Sequence, residues 1–177
     1  GATGDPELAV PLYLRLADWR ARVDDDQPGA VMAVERALGY QPDRADIRRS
    51  YEALLETLER WASLTSSIDT VLSTTRETEA VEGLLQRKLE IQLDGLEDPE
   101  AATETLHALL EIDPDHMERL TLLDTLLGEL NRGQERLAIW QRQFQLTPEE
   151  ARGPLAWRVG HHMARTEGLQ LDAIPYL

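Results

Sequence analysis

The stretch AVMAVERALGYQPD at residues 30–43 returns 72 residues later as ATETLHALLEIDPD at residues 102–115. Both place a small residue first, an apolar residue four positions on, another three further, and a proline five beyond that. The two sets are Ala30, Val34, Ala37, Pro42 and Ala102, Leu106, Leu109, Pro114. Apolar positions recurring every three or four residues form one stripe of an α-helix, and the proline cannot continue it. The register holds without a gap beyond the stretch itself: Leu38 falls on Leu110, Leu54-Leu55 on Leu126-Leu127, Leu58 on Leu130 and Arg60 on Arg132. Half of this period is about 36 residues, the size of one helix–turn–helix unit. The pattern predicts an all-α chain, an α/α superhelical solenoid of antiparallel helix pairs.

Upstream, Leu8, Leu12, Leu16, Trp19 and Val23 recur at helical spacing and predict a first helix with that stripe inward. Asp24-Asp25-Asp26 ends it, with Asp26 as N-cap and Pro28 in the first turn of a helix reaching about Tyr40. The second pair reads Asp46 to Leu58, with Ile47, Tyr51, Leu54, Leu55 and Leu58 on one face, then Trp61 to about Ser73, with Leu64, Ile68, Val71 and Leu72 inward. The third runs Glu79 to Leu93 and Pro99 to Ile112, the fourth Met117 to Leu130 and Gln134 to Leu146. A fifth begins near Leu155 with Leu155, Val159, His162 and Met163 inward, ends at Gly168, and is followed by an unfinished helix from Leu169 or Gln170. The expected units are 8–42, 43–76, 77–114, 115–148 and a partial 149–177 in one helical-repeat domain, with residues 1–7 a flexible N-terminus or tag remnant. Trp19, Trp61 and Trp140 read as packing residues.

The formal charge of −15, from 33 acids against 18 bases, argues against binding nucleic acid, whose phosphates reward a basic stripe. Cysteine is absent, which removes disulfides, thiolate metal sites and thiol catalysis. Apolar runs are only a few residues long against the roughly 20 of a membrane-spanning helix, so no membrane insertion is expected, and the cytoplasm is favoured over the periplasm. Asp24-Asp25-Asp26 lacks the alternating ligands, glycine and closing glutamate of a calcium loop. His161 and His162 are adjacent, whereas a helical zinc pair needs i,i+4 spacing. With no phosphate-binding glycine loop and no nucleophile elbow, the expectation is a non-catalytic chain without cofactor or metal.

The two stretches quoted first resemble the tetratricopeptide repeat, in which small residues sit where paired helices cross and a proline follows the second helix. Leu14-Arg15-Leu16-Ala17 supplies the matching small residue on a first helix. The connectors Asp98-Pro99-Glu100-Ala101-Ala102 and Asp113-Pro114-Asp115 read like those of degenerate bacterial repeats. Arg136 and Gln143 stand where the repeat has small residues.

The resemblance implies a scaffold that holds a peptide or partner subunit on a concave wall of first helices. Carried over position by position, it implies Asp18, Arg22 and Arg49 as contact residues. On the fifth unit, Trp157, His161 and Arg165 stand four residues apart and so share one helix face. Tryptophan and arginine are the types most enriched at binding hot spots. The carboxylate clamp of the family needs paired lysine and asparagine, and this chain has one lysine, Lys88, and one asparagine, Asn131. An alternative is a regulatory or sensor domain of a larger protein. Self-association is a further expectation, through the exposed apolar end face of the unfinished last repeat.

Overall fold

A computed structural model describes residues 5–165 and 172–176. These residues are helices and short turns with no strand among them. The expected helix end at Gly168 and restart at Leu169 or Gln170 lie outside the described residues. The chain divides into two units, Gly1–Thr74 and Thr75–Leu177.

Unit 1 consists of α1 (Pro6–Arg22), α2 (Gln27–Tyr40), α3 (Ala45–Thr57) and α4 (Trp61–Thr74). Unit 2 consists of α5 (Thr78–Glu90), α6 (Pro99–Ile112), α7 (Met117–Glu129), α8 (Gly133–Leu146) and α9 (Gly153–Arg165). Short connections make neighbouring helices antiparallel. A π-helical turn, Ile91–Gly95, extends α5, and a 3-10 turn, Ile174–Tyr176, follows α9. The architecture is that of a tetratricopeptide-like helical repeat.

The 72-residue period is written in the backbone as well as in the sequence. The bounds of α2, α3 and α4, shifted by 72, are the bounds of α6, α7 and α8. Asp26 caps α2 by accepting from Gly29 N at 2.9 Å, and Asp98 caps α6 by accepting from Ala101 N at 3.0 Å. Asp25 and Glu97, one before each cap, hold φ of 50° and 51°. The helices α3 and α7 end alike: Arg60 N reaches Leu55 O at 2.8 Å, Arg132 N reaches Leu127 O at 2.9 Å, and Glu59 and Asn131 between them are left-handed at φ 52° and 58°. That is the Schellman termination, made twice without glycine.

Helix α1 presents a different face to the core than its most conspicuous apolar stripe. Val10 and Ala17 are buried with Ala30, Ala33, Val34 and Ala37 of α2 and Ile47 of α3, and Tyr13, Leu14, Leu16 and Ala21 pack against them. Leu8, Leu12 and Val23 are instead 67%, 64% and 66% exposed, and Trp19 is 49% exposed. The reason is size. Three alanines on α2 let the helices approach closely only if α1 offers Ala17 and Ala21, and there Arg20 Nη1 donates to Gly29 O at 3.2 Å. Trp19 is therefore not a packing residue of this core, whereas Trp140 is buried as expected.

Acids and amides lie inside as well. Glu52 of α3 accepts from Ser67 Oγ of α4 at 3.2 Å, and Gln92 accepts from Thr105 Oγ1 of α6 at 2.7 Å. In unit 2, Leu137, Trp140, Val159, Met163 and Ala173 form a core cluster. Tyr176 packs against it, edge-on to Phe144 at 5.2 Å between ring centroids. The end at which self-association was expected thus carries Ala173 and Tyr176 over apolar groups of α8 and α9.

Candidate functional site

The feature that organises unit 2 is a carboxylate on the apolar side of α7. Asp124 follows Leu120 by four residues and precedes Leu127 by three, so it shares their inward stripe. Its Oδ1 accepts from Trp140 Nε1 at 2.7 Å and from Arg136 Nε at 2.8 Å, both on α8. Its Oδ2 accepts from Arg158 Nη1 of α9 at 3.3 Å. A nearly buried carboxylate requires such compensation, and three donors provide it. Both guanidinium groups also lie over the Trp140 ring, Arg136 at 4.9 Å and Arg158 at 5.5 Å from its centroid. Gly128 of α7 makes the room: a Cβ there would come within 3.1 Å of the Arg136 guanidinium. The repeat's usual small residue is missing at Arg136, and the small residue stands opposite it.

Over this base opens a cleft of about 400 Å³ lined by Trp140, Trp157, Arg158, His161, His162 and Arg165. Trp157 is 64% exposed and stacks on the His161 ring at 5.0 Å and 9°. Arg165 Nη1 lies 3.3 Å from His161 Nε2. His162 meets Trp140 edge-on at 5.6 Å. No acid is among the described lining residues, in a chain of net charge −15. Two guanidinium groups over one satisfied carboxylate, with Arg165 beside them, leave this corner cationic, and the indole and imidazole faces make it apolar between the charges. It can grip a carboxylate next to an apolar group.

Trp157, His161 and Arg165, joined in the sequence by spacing alone, are thus in contact as a row. Asp18 and Arg22 form an exposed i,i+4 ion pair on α1, Arg22 Nε to Asp18 Oδ1 at 2.6 Å. Arg49 is exposed on α3 and donates to its own helix at Ala45 O, 3.3 Å. Sequence reasoning missed Asp124, Arg158 and the part of Arg136. The signal for Asp124 was an acid in register with leucines. Nothing local marks Arg158, which is brought in from 34 residues away.

Unit 1 holds a larger hollow of about 580 Å³ between α2, α3 and α4, whose lining includes Gly39, Ser63, Ser66 and Thr70. Several of its polar groups bond within the unit. Tyr51 Oη donates to Glu35 Oε1 at 2.8 Å, Arg48 Nη2 to Pro42 O at 2.7 Å, Ser66 Oγ to Ala62 O and Thr70 Oγ1 to Ser66 O at 3.0 Å each. Burial, reinforced by the Glu35 carboxylate, pushes the Tyr51 hydroxyl up to about 12.

Among the described residues, no three His, Asp or Glu side chains are gathered so as to hold a metal ion, and no helix is long and apolar enough to cross a membrane. No family model and no curated protein matches the chain. Among solved structures, it is similar to YrrB, described as a TPR protein with an unusual peptide-binding site, at 14% identity and a TM-score of 0.45 over 99% of this chain and 91% of that one. It is similar to MamA from Desulfovibrio magneticus RS-1 at 16% identity and a TM-score of 0.44, covering 99% and 93%. A tetratricopeptide repeat protein from Parabacteroides merdae gives 13% identity and a TM-score of 0.45, covering 96% and 73%. None of these likenesses assigns a site or a partner to this chain.

Proposed function

We propose that the chain is a non-catalytic protein-interaction module and that unit 2 docks a partner segment carrying a carboxylate beside an apolar side chain. The observation that carries this reading is the cationic, aromatic cleft on α9, with exposed Trp157 and Arg165 over the Asp124 base. Indole and guanidinium groups of this kind anchor interfaces, because each buries a large area and keeps a polar handle. The described lining offers its two histidines no serine, threonine or carboxylate to activate or to orient them, which suits recognition better than chemistry.

The test is capture of partners by immobilised protein, comparing the natural chain with the double substitution Trp157→Ala, Arg165→Glu. Both positions are exposed, so helicity by circular dichroism stays unchanged. The reading expects the captured set to be lost from the variant. A partner retained in full by the folded variant removes the site from consideration.

A further inference from the structure

A carboxylate entering the α9 cleft meets two kinds of charge, one fixed and one set by pH. Arg136, Arg158 and Arg165 are permanent cations. Asp124 is already met by Arg136, Arg158 and the Trp140 indole. His161 and His162 are of the other kind, because histidine is the side chain that ordinarily changes charge between about pH 5 and 8. The two rings are placed differently. His162 is half-buried and edge-on to Trp140, and its Cε1 lies 3.5 Å from where a Cβ on Gly133 would stand. His161 is exposed, lies flat on the Trp157 indole and has its Nε2 3.3 Å from Arg165 Nη1.

Given the docking proposed for unit 2, on which this inference rests, we propose that protonation of His161 tightens it, so that the cleft holds carboxylate-bearing segments more strongly as pH falls from about 8 to about 5.5. A guanidinium has only donors, and so has an imidazolium. Charging the ring therefore sets two cations side by side with no acceptor between them. The charged groups of the neighbouring helices do not supply one: Arg136 of α8 is a further cation, and Asp124 of α7 is taken up by Arg136, Arg158 and Trp140. No acid stands among the described lining residues. An incoming carboxylate has two oxygens and can accept an N–H from each cation. Stacking on Trp157 favours the charged ring as well, since an indole face attracts a cation. Bound carboxylate and bound proton each favour the other, so the added affinity is present while the ring is charged and is lost as pH rises and the ring gives up its proton. A glutamate of the docked segment stays ionised above about pH 5.5, so the ring and not the ligand changes charge over this window.

Calorimetric titration of the full chain with a capped glutamate–leucine peptide at about pH 8 and about pH 5.5 tests this. The natural chain is expected to bind about 10-fold more tightly at the lower pH, the effect of one added charge–charge contact. It is also expected to take up protons on binding, read from the binding enthalpies in buffers of different ionisation heat. His161→Gln, at an exposed position, is expected to keep its helicity by circular dichroism and to show a pH ratio below about 2-fold, with no proton uptake. The 33 acids of the chain are the same in both proteins, so their own response to pH cancels in that comparison. Equal affinity of the natural chain at both pH values overturns the pH dependence and leaves the docking standing. A ratio in His161→Gln as large as in the natural chain overturns the part given to His161. Absence of binding at either pH overturns the docking and this inference together.

Discussion

Helices α3 and α4 of unit 1 and α7 and α8 of unit 2 are two copies of one frame with different interiors. Where α4 buries Leu64 and Ile68, α8 carries Arg136 and Trp140, and where α3 carries Glu56, α7 has Gly128. An acid lies inside both, Glu52 in the first and Asp124 in the second. In unit 1 that acid accepts from Ser67 Oγ of α4. In unit 2 it gathers two arginines and an indole, and two of those groups, Trp140 and Arg158, line a cleft. The helix bounds, the Asp26 and Asp98 caps and the left-handed ends at Glu59 and Asn131 are held in common, so the backbone frame does not depend on what fills it. A repeat can therefore rebuild the inside of one helix pair around a polar hub and leave every helix boundary where it was.

The largest expected break between the copies comes from removing each acid. Asp124→Ala leaves two guanidinium groups and the Trp140 N–H without their acceptor and is expected to cost about 3–5 kcal/mol in denaturant unfolding. Glu52→Ala, which takes away the acceptor of the Ser67 hydroxyl, is expected to cost about 1–2 kcal/mol. Equal costs at the two positions would mean that Asp124 is no hub.

The shared frame makes the opposite kind of prediction. Asp26→Ala and Asp98→Ala remove equivalent N-caps and should each cost about 1 kcal/mol, with matching losses of helix protection in hydrogen exchange. A clear inequality would break the claim that the frame is independent of its filling. The smallest difference lies at the two left-handed ends. Glu59→Gly relieves a conformation that an ordinary side chain resists, for a gain of about 1 kcal/mol, whereas Asn131→Gly gains about 0.3 kcal/mol because asparagine already tolerates it. Thermal melts of the two variants should rank in that order.

These contrasts also mark what the sequence made legible. The period, the cap at Asp26 and the prolines at Pro42 and Pro114 are local signals, and each corresponds to a helix bound found in the structure. The inward face of α1 was not legible, because Leu8, Leu12, Trp19 and Val23 compete with Val10, Tyr13, Leu14, Ala17 and Ala21 on one helix. Periodicity favours the bulkier set, and only the alanines of α2 show that the smaller set must pack. On α9, spacing alone joined Trp157, His161 and Arg165. The hub beneath them depends on Asp124 and Arg158 meeting across 34 residues, which no window of helical periodicity contains.

The central claim is that unit 2 binds carboxylate-bearing segments through the α9 cleft. Its most direct test is a nuclear magnetic resonance titration of the full chain with a capped glutamate–leucine peptide and with its lysine–leucine counterpart. The account predicts that the acidic peptide shifts the Trp157 indole N–H and the Arg165 guanidinium signals while Trp61 of unit 1 stays in place, and that the basic peptide shifts none of them. Equal shifts with both peptides, or shifts confined to unit 1, would contradict it.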